Sequence, residues 1–271
     1  MTILCIETST SVCSAAICKD GVPAKQCIHY EGSNHARLLP LYIDELLQYA
    51  RENGLTIDAV ALSEGPGSYT GLRIGTSTAK GLCYGLNVPL IPVPTLDVLC
   101  EAAKRSLSSV SEQSERSVSA AVFIPMIDAR RMEVYTAIFD SESKVESRKS
   151  EEERVRAVVV ENEESLYSVS AAVCAPSGEN REALIVPLGK EAGLSAQRSI
   201  FYFGDGAAKC QAVLTSPNWH YLPNIVPEAQ YMGAMVENSR QSAISHQQLA
   251  YYEPFYLKEF VAAQSHVKGL K

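Results

Sequence analysis

Apolar and polar positions along the first hundred residues divide the chain into short elements. Residues 2–6, 12–18 and 22–29 are apolar runs bounded by polar breaks, Glu7 to Ser11 and Lys19-Asp20-Gly21. They predict three strands, the last two joined by a hairpin turn with glycine in the position that favours it. Leu38, Leu39, Tyr42, Ile43, Leu46, Leu47, Tyr49 and Ala50 then follow helical spacing, so a helix is predicted from a cap at Ser33 or Asn34 to about Asn53, where Gly54 stops it. These residues cover roughly half the helix circumference, more than a surface helix of a monomer needs. Part of the arc faces the sheet, and the rest is expected to face a partner.

A strand at Ala59 to Leu62 leads into Glu64-Gly65-Pro66-Gly67-Ser68-Tyr69-Thr70-Gly71-Leu72-Arg73-Ile74-Gly75, then a segment of small residues to Leu86, then a second apolar run, Val88 to Val93. Strand, loop, helix and strand in this order predict a βαβ crossover between parallel strands. The loop matches neither G-x-x-x-x-G-K-S/T nor G-x-G-x-x-G. It is therefore either an anion cradle at a helix N-terminus or a tight structural turn. Gly71, Gly75 and Ala79 recur every fourth residue and leave a groove on one helix face where another backbone can come close. The acid and hydroxyls of Glu7-Thr8-Ser9 face a phosphate or hydrated metal, or form a polar turn bonded to local backbone.

Beyond residue 94 the pattern is coarser. Thr95 caps a helix to about Lys104, and 105–120 read as a serine-rich exposed loop. Strands follow at 121–127 and 132–139, joined by Asp128-Ala129-Arg130-Arg131, with an edge strand between Val155 and Val160. Residues 165–199 give no clear pattern. A strand at Ile200 to Phe203, the turn Gly204-Asp205-Gly206, a helix over Ala207 to Leu214, a longer helix over 228–240 and a strand or helix over Tyr251 to Phe260 complete the chain. Two halves of similar order predict a duplicated α/β architecture.

Composition narrows the function. The chain has 271 residues and a formal charge of −7, with no long basic run, which argues against unaided nucleic-acid binding. No stretch reaches the ~20 apolar residues of a membrane span. Met1 to Glu7 reads as a first strand, not a signal peptide. Eight cysteines without a C-x-x-C pair read as buried thiols of a reducing, cytoplasmic compartment. Five histidines without an H-E-x-x-H or H-x-x-x-H pair give a metalloprotease no site, and Asp205 is the one late acid that suits a sugar-kinase-type phosphotransferase.

The residues Ile6-Glu7-Thr8-Ser9, the Gly65 to Gly75 loop with Ala79-Lys80-Gly81-Leu82, Ile127-Asp128-Ala129-Arg130 with Glu133-Val134-Tyr135, and the tail Pro254-Phe255-Tyr256-Leu257-Lys258 together resemble the TsaB (YeaZ) family. That resemblance implies an ASKHA (actin-like) fold of two lobes: an N-terminal lobe over 1–98, onto which a tail from about 245 packs back, and a smaller lobe over 99–244. It implies a non-catalytic subunit that binds TsaD, and through it the ATPase TsaE, in forming threonylcarbamoyladenosine 37 of ANN-decoding tRNAs, with tRNA met only through the complex. A homodimer is implied when TsaD is absent. Catalytic TsaD-type chains carry a metal-binding His-x-x-x-His pair where this chain has Thr95 and Leu99, so no metal, cofactor or catalytic residue is expected here. The implied partner interface comprises His35, Leu38, Leu39, Tyr42, Leu46, Arg73, Gly75, Ala79 and Leu82. A charge at Leu39 or Leu46 is expected to break pairing and leave a soluble monomer.

Overall fold

The computed structural model describes residues 1–32, 34–108, 121–140, 156–161, 198–238 and 243–257. The first sheet has the order β3-β2-β1-β4-β5, from β1 (Thr2–Glu7), β2 (Cys13–Lys19), β3 (Val22–His29), β4 (Ala59–Gly65) and β5 (Leu90–Pro94). β1 pairs antiparallel with β2 and parallel with β4, and β4 pairs parallel with β5. The hairpin turn forms as expected, with Asp20 and Gly21 both at positive φ.

Alternate residues of β1 enter different cores. Leu4 and Ile6 pack with Leu39, Ile43 and Leu46 of α1 (His35–Glu52) and Ala79 of α2 (Tyr69–Leu86). Ile3 and Cys5 face the other way, against Ala229, Met232 and Val236. Burial on both faces explains why β1 reads as a continuous apolar run and not as an alternation.

α1 and α2 cover one face of this sheet. Gly71 and Gly75 of α2 receive the turn after β1: an added Cβ would lie 2.0 Å from the Thr8 carbonyl oxygen at Gly71 and 2.3 Å from Thr8 Oγ1 at Gly75. Thr8 Oγ1 also donates to the Gly71 carbonyl at 2.8 Å. The small-residue groove is thus filled by the chain's own backbone. Gly81 and Gly85, further along, meet open space.

This packing buries five of the nine residues expected at the interface. Leu39, Leu46 and Ala79 are fully buried, and His35 and Gly75 are buried beside them. They hold the lobe together and are not available to a partner. The wide apolar arc of α1 reflects how deeply the helix is set against the sheet, so the expectation of a soluble monomer with a charge at Leu39 or Leu46 does not hold.

α3 (Thr95–Ser108) leads to the second sheet, of order β11-β10-β6-β7-β9, from β6 (Val122–Asp128), β7 (Glu133–Thr136), β9 (Arg156–Val159), β10 (Ile200–Phe203) and β11 (Trp219–Leu222), with β8 (Phe139–Asp140) pairing β6. Leu96 and Leu99 of α3 pack with Phe123 and Phe203 on one face, while Val122, Ile124, Tyr202 and Trp219 form the other core. β9 is an edge strand, as its charged flanks suggest.

Other expectations change. Residues 207–214 form only a short 3-10 turn, Ala208–Cys210, continued by i to i+3 bonds from Cys210 to Ala207 and from Val213 to Cys210. A segment this short does not sustain an α-helix unaided. The helix expected from 228 begins as a 3-10 turn, Ala229–Tyr231, and continues as α4 (Met232–Asn238). α4 packs on the first sheet, through Met232 and Val236. A short helix, α5 (His246–Leu249), adds Leu249 to the α1 side. Residues 251–257 form neither helix nor strand. β11 escapes sequence reading because its four residues lie between Pro217 and Pro223. A cap at Ser33, the serine-rich stretch beyond Ser108, most of 141–199 and the tail beyond Leu257 lie outside the described residues.

Seven of the cysteines are free and buried. Burial pushes the Cys83 and Cys100 thiols up to about 12. No helix among the described residues is long and apolar enough to cross a membrane.

Two outcomes test this packing in urea titrations. Leu46→Asp is expected to destabilise the fold by more than ~4 kcal/mol, because a carboxylate replaces a fully buried leucine. Gly71→Ala is expected to cost more than ~2 kcal/mol through its backbone clash, whereas Gly81→Ala gains up to ~1 kcal/mol of helix propensity in open space.

Candidate functional site

The turn between β4 and α2 lies at the carboxyl ends of the parallel strands, where open α/β sheets usually receive ligands. Here several of its donors are satisfied internally. Ser68 caps α2, accepting from the Gly71 N–H at 3.3 Å, and its own N–H donates to the Ser9 carbonyl at 2.6 Å. Thr95 Oγ1 accepts from the Gly65 N–H at 3.2 Å and lies 2.7 Å from Ser63 Oγ. The space a phosphate would need is filled. The Ser9 carbonyl oxygen stands 2.3 Å from where a Cβ on Gly67 would lie, and the Phe255 carbonyl oxygen 2.5 Å from the equivalent point on Gly65. Of the two sequence readings, the tight structural turn describes this geometry.

Glu7 belongs to the same arrangement. Its Oε1 accepts from the Ser9 N–H at 2.6 Å and from Ser9 Oγ at 2.5 Å, with the residue fully buried. Burial pushes the Glu7 carboxyl up, against the opposing effect of the Ser9 hydrogen bonds. The polar turn bonded to local backbone is the reading that fits. His35 Nε2 lies 2.7 Å from the Thr10 carbonyl, joining α1 to the end of the same turn.

The C-terminal tail closes over this region, which spacing alone did not reveal. The Phe255 N–H donates to the Glu64 carbonyl at 2.7 Å, while Phe255 and Leu257 pack into the core of the second sheet. Tyr256 meets the Tyr69 ring at 5.1 Å, and Arg73 lies 4.3 Å over Tyr69 with its Nε donating to Tyr256 Oη at 3.4 Å. Arg73 is thus exposed but engaged with the tail.

At the positions that resemblance matches to metal histidines, Thr95 holds the turn and Leu99 is fully buried. Among the described residues no group of three His, Cys, Asp or Glu side chains is placed to hold a metal. Tyr231 lines a cavity of about 330 Å³ with Arg105, Asn224 and Glu228. The Glu228 carboxylate accepts from Gln26 at 3.0 Å, Gln230 at 2.6 Å and Tyr30 at 3.2 Å, a part-buried link to β3 that no sequence pattern signals. Asp205 Oδ1 accepts from the Asp128 N–H at 2.9 Å, so this late acid braces a turn.

Apolar side chains also remain on the outer side of each helix. Leu38 and Tyr42 on α1 and Ile74 and Leu82 on α2 are half-buried at their inner edges, and Leu41 stands 62% and Tyr84 79% exposed. Leu38, Leu41 and Tyr42 share one face at i, i+3 and i+4.

A family model described as TsaD, tRNA N6-adenosine threonylcarbamoyltransferase, matches residues 30–263. The chain is 36% identical over 135 residues to the tRNA threonylcarbamoyladenosine biosynthesis protein TsaB of Haemophilus influenzae, covering 50% of this chain and 52% of that protein. It is 34% identical over 137 residues to the TsaB of Escherichia coli, covering 51% and 54%. The chain thus spans about half the length of these curated relatives. In overall structure it is similar to YeaZ from Pseudomonas aeruginosa, with a TM-score of 0.60 and 23% identity over 94% of this chain and 99% of that one, a likeness of fold. With a family model covering most of its length the chain belongs to the TsaD family, and its TsaB relatives and YeaZ-like, ASKHA-type fold support its assignment to the TsaB (YeaZ) group.

Proposed function

We propose that this chain is a non-catalytic, cytoplasmic platform subunit in the formation of threonylcarbamoyladenosine 37 on ANN-decoding tRNAs, binding TsaD and, through it, TsaE. The exposed apolar surface of α1 and α2 carries this reading. Leu41 stands in water beside half-buried Leu38 and Tyr42 on α1, and Tyr84 on α2 is exposed with its ring near His246, so apolar surface on both helices gains by covering. A second helix pair laid along this surface buries about 800 Å² per partner, the size of a standard interface. TsaD is the partner in the complex, and a second copy of this chain takes the surface when TsaD is absent.

The strand ends support a platform better than an enzyme. Thr95 and Leu99 are committed to the turn and the core, and the Gly65 to Gly71 loop is filled by Ser9 and Phe255. The two-lobe division keeps α1 and α2 in the N-terminal lobe, with the tail from about 245 returning to it. The interface therefore centres on Leu38, Tyr42 and Leu82 of the original set, extended by Leu41 and Tyr84.

Leu41→Asp is expected to weaken heterodimer formation with the cognate TsaD at least tenfold, because the carboxylate must be desolvated without a partner. The melting temperature of the free protein is expected to stay within ~2 °C, since Leu41 is exposed in the monomer. Light scattering of the mixed proteins and thermal melts measure both. Normal pairing by this variant places the interface elsewhere.

A further inference from the structure

The hairpin between β6 and β7 presents two adjacent arginines that nothing above uses. Arg130 and Arg131 both adopt positive φ, 72° and 53°, a region that residues with a long side chain rarely occupy. Backbone of this kind persists only where its surroundings hold it, and it is concentrated at functional sites. The surroundings here are well defined. The Asp128 carboxylate accepts from the Arg130 N–H at 3.1 Å and pairs with Lys209. Lys209 Nζ also donates to the Glu133 carbonyl at 2.7 Å, and the Glu133 N–H closes the turn onto the Arg130 carbonyl at 3.1 Å. From the opposite side, Asp205 Oδ1 fixes the Asp128 N–H.

The charges in this arrangement are divided by position. The carboxylates of Asp128 and Asp205 accept from the hairpin backbone and Lys209. The two arginines are exposed, and among the described residues neither guanidinium has an ion-pair partner. On a chain of formal charge −7, a polyanion is repelled by most of the surface and can approach only at such local positive points. Arginine's planar fork of donors matches a phosphate in two-point contact, and neighbouring arginines on a braced turn can take neighbouring phosphates.

We propose that the Arg130–Arg131 tip is an RNA contact: within the assembled complex its two guanidiniums bind backbone phosphates of the tRNA substrate. The proposal rests on the platform reading, which brings this chain to a tRNA. It gives the chain a direct, sequence-independent share in holding the substrate, where the resemblance left tRNA to other subunits. The contact is too small to bind RNA unaided, so it acts only once other subunits supply the rest.

The test uses the full chain assembled with its cognate TsaD and TsaE, and an unmodified transcript of an ANN-decoding tRNA as probe. Binding is measured between roughly 50 and 200 mM KCl for the wild type, the double variant Arg130→Gln with Arg131→Gln, and the double variant Arg130→Lys with Arg131→Lys. The glutamine variant is expected to lower the slope of log affinity against log salt by about 2, so that across this range its affinity falls roughly tenfold less than the wild type's. The lysine variant keeps the slope, because charge and reach are retained. An unchanged slope and affinity in an intact glutamine complex overturns the proposal. Loss of assembly in the glutamine variant also overturns it, and makes the tip a contact for acidic protein. A wild-type chain that does not assemble, or a wild-type complex that does not hold tRNA, refutes the platform reading itself and removes the proposal with it.

Discussion

The fold depends on how closely the turn after β1 approaches the start of α2. The carbonyls of Thr8 and Ser9 lie where side chains at Gly71 and Gly67 would stand, and Thr8 Oγ1 returns a hydrogen bond to the helix backbone. Backbone contact at this range is possible only without a Cβ. It sets the height of α2 above the first sheet, which in turn sets the position of α1, because His35 reaches over to Thr10 and the leucines of α1 fill the space left beside Ala79. The surface proposed to meet a partner is the outer side of this stack. Its presentation thus depends on a packing contact about one helix diameter beneath it.

The same contact decides what the strand ends can do. In an open α/β sheet the crevice at the carboxyl ends of the strands is a natural place for a ligand. This chain fills that crevice with its own groups: Glu7 and Ser9 from one strand end, Thr95 from another, and Phe255 from the tail. Ser9 supplies two donors to one oxygen of the buried Glu7 carboxyl, while the other, Oε2, is buried without a hydrogen-bond partner among the described residues, and burial pushes the group toward its neutral form. A site turned into a joint suits a subunit whose contribution is a surface.

Much of the first lobe was legible because its signals are local. Three apolar runs, a glycine hairpin, a helical repeat ending at Gly54 and a strand-loop-helix-strand unit each carry their own punctuation, and the elements stand within a few residues of expectation. What misled was the meaning of the helix faces. An apolar arc on α1 reads the same whether it meets a sheet or a partner, and the spacing of Gly71, Gly75 and Ala79 cannot say whose backbone fills the groove. Leu39, Leu46 and Ala79 turned out to be core, while Leu41 and Tyr84 carry exposed apolar surface. The second lobe was less legible, since a four-residue strand such as β11 and a 3-10 turn at Ala208–Cys210 have too few positions to show a period, although β10 was read from its aromatic run. The tail clasp and the Glu228 link depend on partners two hundred residues away and leave no local trace.

That separation along the chain bears on how the protein is made. One face of the first sheet is largely covered early, by α1 and α2, with Leu249 added late. The other, with Ile3, Cys5, Ala16 and Cys18, is covered by Ala229, Met232 and Val236, which leave the ribosome more than two hundred residues later. At the usual rate of ~5–20 residues per second, that face waits on the order of ten seconds or more for its cover. Nascent chains of this protein therefore expose a half-built sheet through most of their synthesis, a natural client for the chaperones that attend ribosomes, and a reason for the sheet's opposite face to be assembled from sequence-local parts.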